Sequence, residues 1–174
     1  MTARTGAPAP DTVPRPDTET SRVYQEGMIA GVIGAAVVAL WFLVLDTLAG
    51  RPLYTPTVLG TALFGRGTLG DPALIAPSPG MVAMFTWVHG LAFVVVGGVV
   101  SRLLGLAERN PSFGFGVLLL FVVFEAGFVA AALVFAAPVL RALAWPAVLG
   151  ANLLAAAAMG AYFWRHHPRL RVDP

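Results

Sequence analysis

A continuous apolar run over residues 112–137 constrains this chain most strongly. The run, SFGFGVLLLFVVFEAGFVAAALVFAA, contains one charged residue, Glu125. A helix needs about 20 apolar residues to cross the roughly 30 Å hydrocarbon core of a bilayer, and this run is longer. It therefore predicts a membrane-spanning helix. Because an ionised carboxylate at that depth costs on the order of several kcal/mol, we expect Glu125 to face other helices rather than lipid.

The composition of the whole chain is also that of a membrane protein. Of its 174 residues, 57% are hydrophobic and 11% are charged, whereas soluble domains carry about 25% charged residues. The length accommodates four spans and their connections, but no soluble catalytic domain beside them. We predict an all-α integral membrane protein, a bundle of four transmembrane helices with a long outer loop between the first and second spans.

Apolar runs and breaker residues divide the chain into three parts. Residues 1–22 are rich in Pro, Thr and charge and bury too little apolar surface to fold, which predicts a disordered cytoplasmic tail. Residues 23–166 form the predicted membrane domain, and residues 167–174 form a short cytoplasmic tail. The predicted spans cover about residues 25–49, 81–106, 112–137 and 142–164.

Small residues in two of the spans predict close helix packing. In the first span Gly27 and Gly31 form a GxxxG motif, which favours the approach of another helix, either within the chain or in a dimer. The fourth span is rich in alanine, with Ala151, Ala155 and Ala158 on one helical face. We therefore expect the fourth span to lie deep in the bundle.

The connection over residues 50–80 is the longest in the predicted membrane domain and is interrupted throughout by Gly and Pro. Its apolar middle, residues 57–64, is too short to span and predicts either a short interfacial helix or a re-entrant turn. A lid or partner surface and an ordered cap over the bundle are both open interpretations. At its start, Asp46 and Arg51 are spaced for an interfacial ion pair.

The arginines indicate an orientation. All eleven basic residues are arginine, a bias that, with abundant Ala, Gly, Val and Pro, is usual in high-GC bacterial genomes. Eight flank the first span's start, the second connection and the fourth span's end, against three on the other side: Arg51, Arg66 and Arg141. The positive-inside rule then predicts a multi-pass protein of the bacterial inner membrane with both termini in the cytoplasm.

Polar residues within the spans fall at a common depth. At about 1.5 Å per residue, His89, Glu125 and Asn152 lie in one layer of the outer half, with Asp46 at its rim. Such residues either hydrogen-bond helices to one another or form a site, here one that relays protons or orients a polar ligand. Both interpretations stay open.

Metal and haem sites are less favoured by the pattern. His89, Glu125 and Met84 supply N, O and S ligands for a metal, but methionines at helical spacing more often serve packing. Haem bound by two histidines is disfavoured because His89 alone lies within a predicted span. We expect His166 and His167 to be solvated or interfacial. No cofactor is predicted.

The sequence disfavours several functional classes. The absence of cysteine excludes disulfides and thiolate chemistry. No GxSxG, HExxH or P-loop motif is present, so an enzyme is not favoured, and without a basic run nucleic-acid binding gains no support. The leading interpretation is a non-enzymatic membrane component that contacts the lipid bilayer and acts in a homo-oligomer or with partner subunits. The alternative is a proton-coupled or small-ligand or metal-binding protein that uses the His89, Glu125 and Asn152 layer.

Overall fold

The computed structural model describes residues 16–65, 71, 74–109 and 145–167. Within these residues the protein is all-helical, without strands, and contains four α-helices: α1 (Pro16–Leu48), α2 (Tyr54–Phe64), α3 (Pro79–Arg109) and α4 (Trp145–His166). The predicted third span, residues 112–137 with Glu125, lies outside the described residues.

Three of these helices are long and apolar enough to cross a membrane. They are Ser21–Leu48, Pro79–Glu108 and Trp145–His166, which correspond to the predicted first, second and fourth spans. Helix α1 begins earlier than the predicted span, at Pro16, within the segment predicted to be a disordered tail. A span that is already helical extends outward without a new nucleation step, and proline is tolerated at the first helical position.

Helices α1 and α3 run antiparallel and touch through glycine. A Cβ atom added to Gly27 would lie 2.5 Å from the Cα atom of Gly98, and one added to Gly31 would overlap the carbonyl group of Phe93. The two backbones therefore meet with no side chain between them, as GxxxG motifs permit. Within this chain, α3 fills the face of α1 that carries the motif.

Helix α4 is antiparallel to α1 as well. Trp41 near the end of α1 contacts Ala147 in the first turn of α4, whereas Glu26 near the start of α1 meets His167 just past the end of α4. Helices α3 and α4 are therefore parallel to each other. The N-terminal end of α1 lies beside the C-terminal ends of both.

The buried face of α4 follows a four-residue repeat. Ala151, Ala155, Met159 and Phe163 are all buried on it. The two alanines pack against Val38 of α1, in agreement with the close packing expected of the alanine-rich span. Small residues bring this half of α4 near α1, and larger ones fill the other half.

The long connection contains a packed helix. Helix α2 covers the end of the bundle where α1 ends and α3 begins, and it buries Thr55, Thr57, Val58 and Gly60. A Cβ atom on Gly60 would overlap the carbonyl group of Met81 in α3. Of the two conformations that the sequence left open for residues 57–64, the structure shows a short helix.

Candidate functional site

His89 of the predicted polar layer lies on α3 and bonds to the backbone of α1. Its Nε2 atom is 3.4 Å from the carbonyl oxygen of Ala35. Its ring stacks on Phe85 at a centroid distance of 5.5 Å and contacts Phe93 at 4.8 Å. Because a carbonyl only accepts, Nε2 carries the hydrogen in this contact. His89 thus links two helices from within an aromatic stack.

Asn152 lies at a comparable level of the bundle. It is half-buried on α4, next to Ala151, which packs against Val38 of α1. Val38 follows Ala35, the partner of His89, by three residues, a rise of about 4.5 Å. His89 and Asn152 therefore lie within about one helical turn of each other along α1, whereas Glu125 lies outside the described residues.

Asp46 lies apart from this layer and caps α2. Its Oδ2 atom accepts a hydrogen bond from the backbone N–H of Thr55 at 2.7 Å, and its Oδ1 atom accepts one from the Thr55 hydroxyl at 2.8 Å. The first N–H groups of a helix lack partners within it. Leu53, which precedes α2, has a left-handed backbone (φ 65°) and supplies no side-chain cap. The carboxylate of α1 supplies one instead.

The Asp46–Arg51 ion pair is absent from this arrangement. The guanidinium of Arg51 lies 4.0 Å from the ring centroid of Tyr54, a cation–π contact. Both carboxylate oxygens of Asp46 are bonded to Thr55 inside the protein, where Asp46 is only 6% exposed. The pair that the spacing allowed does not form, because the capping bonds of Asp46 are buried and Arg51 is exposed.

A second polar group, which the sequence analysis missed, lies at the opposite end of the bundle. We call it the His167 cluster; it comprises Arg22 and Glu26 of α1, Glu108 of α3 and His167 after α4. The Nδ1 atom of His167 is hydrogen-bonded to Glu108 Oε1 at 2.9 Å, and its Nε2 atom lies 3.2 Å from Glu26 Oε2. Arg22 Nε donates to Glu26 Oε1 at 2.9 Å.

The centre of this cluster is enclosed. His167 is 7% exposed and Glu26 is 8% exposed. Although Nε2 lies at ion-pair distance from Glu26, it has no hydrogen-bond partner of acceptable geometry in the described part of the chain. The contact is therefore electrostatic rather than an aligned hydrogen bond, and its sign depends on whether Nε2 carries a proton.

We expected His167 to be solvated or interfacial, and its side chain is buried rather than solvated. His167 continues the buried repeat of Ala151, Ala155, Met159 and Phe163 by one further step of four residues, and its N–H bonds to the carbonyl of Phe163 at 2.8 Å. That spacing is the signal that was available in the sequence. The neighbouring His166 is exposed, and its Nδ1 atom contacts the carbonyl of Tyr162 in its own helix.

The described residues form no evident metal site. Among them, no group of three or more His, Cys, Asp or Glu side chains is arranged to hold a metal ion. In the His167 cluster the two carboxylates lie at opposite nitrogens of the ring, so they do not converge on one point. Met84, a sequence-predicted ligand candidate with His89 and Glu125, is 47% exposed.

These features define a class of protein. In the part of the chain that the structure describes, the protein is helical, and three helices are long and apolar enough to cross a membrane. Polar contacts join the described helices at both ends of the bundle. Comparison with protein-family models, with curated proteins and with solved structures found no match.

Proposed function

We propose that this protein is a non-enzymatic component of the bacterial inner membrane, a four-span bundle that acts in a homo-oligomer or with partner subunits. The observation that carries the proposal is that polar side chains of the spans form hydrogen bonds to other helices of the same chain. His89 bonds to the backbone of α1, Trp41 bonds to the backbone of α4, and Asp46 caps α2. These bonds hold the bundle together, as polar groups within membrane helices commonly do.

The helix directions support the predicted third span, and with it a total of four. Because α3 and α4 are parallel, the chain between them has to return from one end of the bundle to the other. The apolar run over residues 112–137 has the length to do so within the membrane. The same directions bring the start of α1 and the end of α4 together, which supports both termini on one side, and the arginine distribution assigns that side to the cytoplasm.

Two tryptophans support the placement of α4 across the bilayer. Trp145 at its start is 65% exposed and Trp164 near its end is 70% exposed. They are nineteen residues apart, a rise of about 28 Å, close to the thickness of the hydrocarbon core. Tryptophan is enriched at both membrane interfaces, where its ring suits the headgroup region.

An oligomer or partner would use a face other than the glycine motif. Gly27 and Gly31 are covered by α3 of the same chain. Large apolar side chains such as Leu40, Val95 and Leu153 remain exposed on the described helices. Such side chains face lipid or other membrane helices in a bilayer.

Membrane topology tests the proposal directly, because the chain contains no cysteine. Single cysteines are placed at three exposed positions, Ser21, Leu74 and His166, and spheroplasts are treated with a membrane-impermeant maleimide. We expect labelling of Leu74→Cys in intact spheroplasts, and labelling of Ser21→Cys and His166→Cys after permeabilisation only. The reverse pattern, or labelling of all three in intact spheroplasts, contradicts the proposed topology.

The assembly is tested separately by native mass spectrometry of protein extracted into nanodiscs. We expect a homo-oligomer or a complex with other membrane subunits. A monomer, recovered alone from native membranes at natural expression levels, contradicts this part of the proposal.

The alternative, a proton-coupled or ligand-binding role for His89, Glu125 and Asn152, is favoured by the common level of His89 and Asn152. The aromatic stack around His89 favours helix association instead. Glu125→Leu and His89→Phe separate the two roles. In a structural layer both variants assemble in the membrane and leave proton uptake by the purified protein unchanged, whereas a relay loses proton uptake in both.

A further inference from the structure

We propose that the His167 cluster is a proton-binding site that ties the end of α4 to the start of α1, so that this end of the bundle is closed when His167 is doubly protonated and loosens when the proton is lost. The proposal rests on contacts among Glu26, Glu108 and His167. It goes beyond the proposed function, since it holds for either orientation of the chain and for any oligomeric state.

The number of protons on the His167 ring decides whether both carboxylate contacts are attractive. Both ring nitrogens of His167 face carboxylate oxygens, at 2.9 Å and 3.2 Å. A neutral imidazole has a single N–H, while ionised carboxylates only accept. With the hydrogen on Nδ1, the bond to Glu108 is satisfied, and the lone pair of Nε2 then points toward the oxygens of Glu26. The imidazolium has an N–H on each nitrogen and so attracts both carboxylates.

The charged groups around His167 differ in sign and in placement. Among the described residues, the charged groups that contact His167 from neighbouring helices are Glu26 of α1 and Glu108 of α3, both acidic. Arg22 of α1 is bonded to the far oxygen of Glu26, Oε1, and its side chain is 69% exposed. Arg165 and His166, next to His167 on α4, are exposed. Two acidic side chains thus face one imidazole, the buried Glu26 and the more exposed Glu108, and the cations lie toward solvent.

The cluster has a route for protons. His167 lies three residues past the exposed Trp164, about 4.5 Å further along the helix axis. The side chain of Glu108 is 31% exposed, whereas that of His167 is 8% exposed. Glu108 therefore contacts both the solvent and the buried ring, so it can pass a proton between them.

The direction of the pH effect follows from these contacts. At low pH the imidazolium joins three helices. As the pH rises and the proton leaves, the Nε2 lone pair faces a carboxylate with little water nearby, so the α1–α4 contact weakens.

Distance measurements between the two helix ends test the proposal. Spin labels are attached to cysteines introduced at Tyr24 of α1 and Ala161 of α4, two exposed positions in a chain without native cysteine. The full chain in nanodiscs is measured from about pH 5.5 to about pH 8.5, on either side of about 6.5, where free imidazole changes charge. We expect a short, narrow distance distribution at low pH. At high pH its population should fall to less than about half, with a longer and broader component replacing it.

Three further variants make the result specific. His167→Gln should abolish the pH dependence, and His166→Gln, the matched control one residue earlier, should retain it. Glu26→Gln should keep the short distance at every pH, because an amide can donate to an unprotonated Nε2 atom. This variant also tests the proposal if His167→Gln fails to fold.

The proposal is overturned if the labelled parent shows the same distance distribution throughout the pH range. It is equally overturned if His167→Gln or Glu26→Gln responds to pH as the parent does, because another group would then control the distance between the two helix ends.

Discussion

His167, just past the end of α4, places its Nε2 atom 3.2 Å from Glu26 Oε2, near the start of α1. These two residues lie near opposite ends of the described chain, yet each is less than a tenth exposed. At the other end of α1, Asp46 bonds to Thr55. Twenty residues, about 30 Å of helix, separate Glu26 from Asp46. Glu26 and Asp46 thus lie at opposite edges of a segment as long as the bilayer core is thick.

Replacing His167 should destabilise the protein at low pH, because Glu108 loses its hydrogen-bond partner and the buried Glu26 keeps only Arg22. We expect His167→Ala to lower the free energy of unfolding by about 1–3 kcal/mol, the usual cost of a buried polar group left unsatisfied. Unfolding in detergent, followed by circular dichroism, measures the effect. His166→Ala is the control and should cost less than about 0.5 kcal/mol, as is usual at an exposed position. Equal losses in the two variants would show that the His167 contacts add no stability.

The adjacent glycines Gly97 and Gly98 should respond differently to alanine. A Cβ atom on Gly97 would overlap the carbonyl of Gly27 in α1, whereas one on Gly98 meets nothing within 4 Å. We expect Gly97→Ala to force α1 and α3 apart and to cost about 1–3 kcal/mol. Gly98→Ala should be neutral or stabilising by up to about 1 kcal/mol, since alanine favours helix. Thermal unfolding of both variants in the same detergent tests the register of the two helices, and a greater loss in Gly98→Ala would refute it.

The capping of α2 predicts a local effect. Asp46→Ala removes both hydrogen bonds to Thr55 and should increase hydrogen exchange at the first amides of α2, with a cost of about 1–2 kcal/mol. Asp46→Asn should retain most of the protection, because its amide can accept from the Thr55 N–H and donate to the hydroxyl.

Thr47→Ala is the control for the Asp46 variants. Thr47 is exposed and bonds to Leu43 of its own helix. The variant should leave exchange in α2 unchanged. Slow exchange in α2 of Asp46→Ala would mean that the cap is dispensable.

Trp41 should contribute more to stability than Trp87. The indole N–H of Trp41 donates to the carbonyl of Ala147 at 2.9 Å, and the ring packs on Gly150, whereas Trp87 is 75% exposed. Trp41→Phe should cost about 0.5–1.5 kcal/mol, the net value of one hydrogen bond, while Trp87→Phe should be near neutral in detergent. The two variants remove the same group, so a comparison of their unfolding midpoints isolates the α1–α4 contact. Equal midpoints would argue against that contact.

The helices themselves could be predicted from local sequence. The predicted spans at residues 25–49, 81–106 and 142–164 each overlap a long apolar helix, and residues 57–64 fall within α2. The alanine face of α4 also indicated which side is buried. Each of these features depends on apolar length or small-residue spacing within a single segment.

The partners of polar residues could not be predicted in the same way. The sequence places Asp46 at the rim of a polar layer, but it caps a helix that begins eight residues later. The sequence also suggests a dimer as one use of Gly27 and Gly31, and α3 of the same chain fills that face. In both cases the same local sequence pattern is compatible with either role, and the contact with a neighbouring helix determines which role the residue has.

The sequence by itself determined that long helices form and that they suit a membrane, because the transfer of apolar side chains into lipid is nearly additive along a segment. Only the tertiary structure decided that Glu26, Glu108 and His167 meet. Their meeting depends on the axial register of three helices, and glycine and alanine contacts such as Gly27 on Gly98 and Ala151 against Val38 set that register. Register is a property of packed pairs of helices, so no single segment contains it.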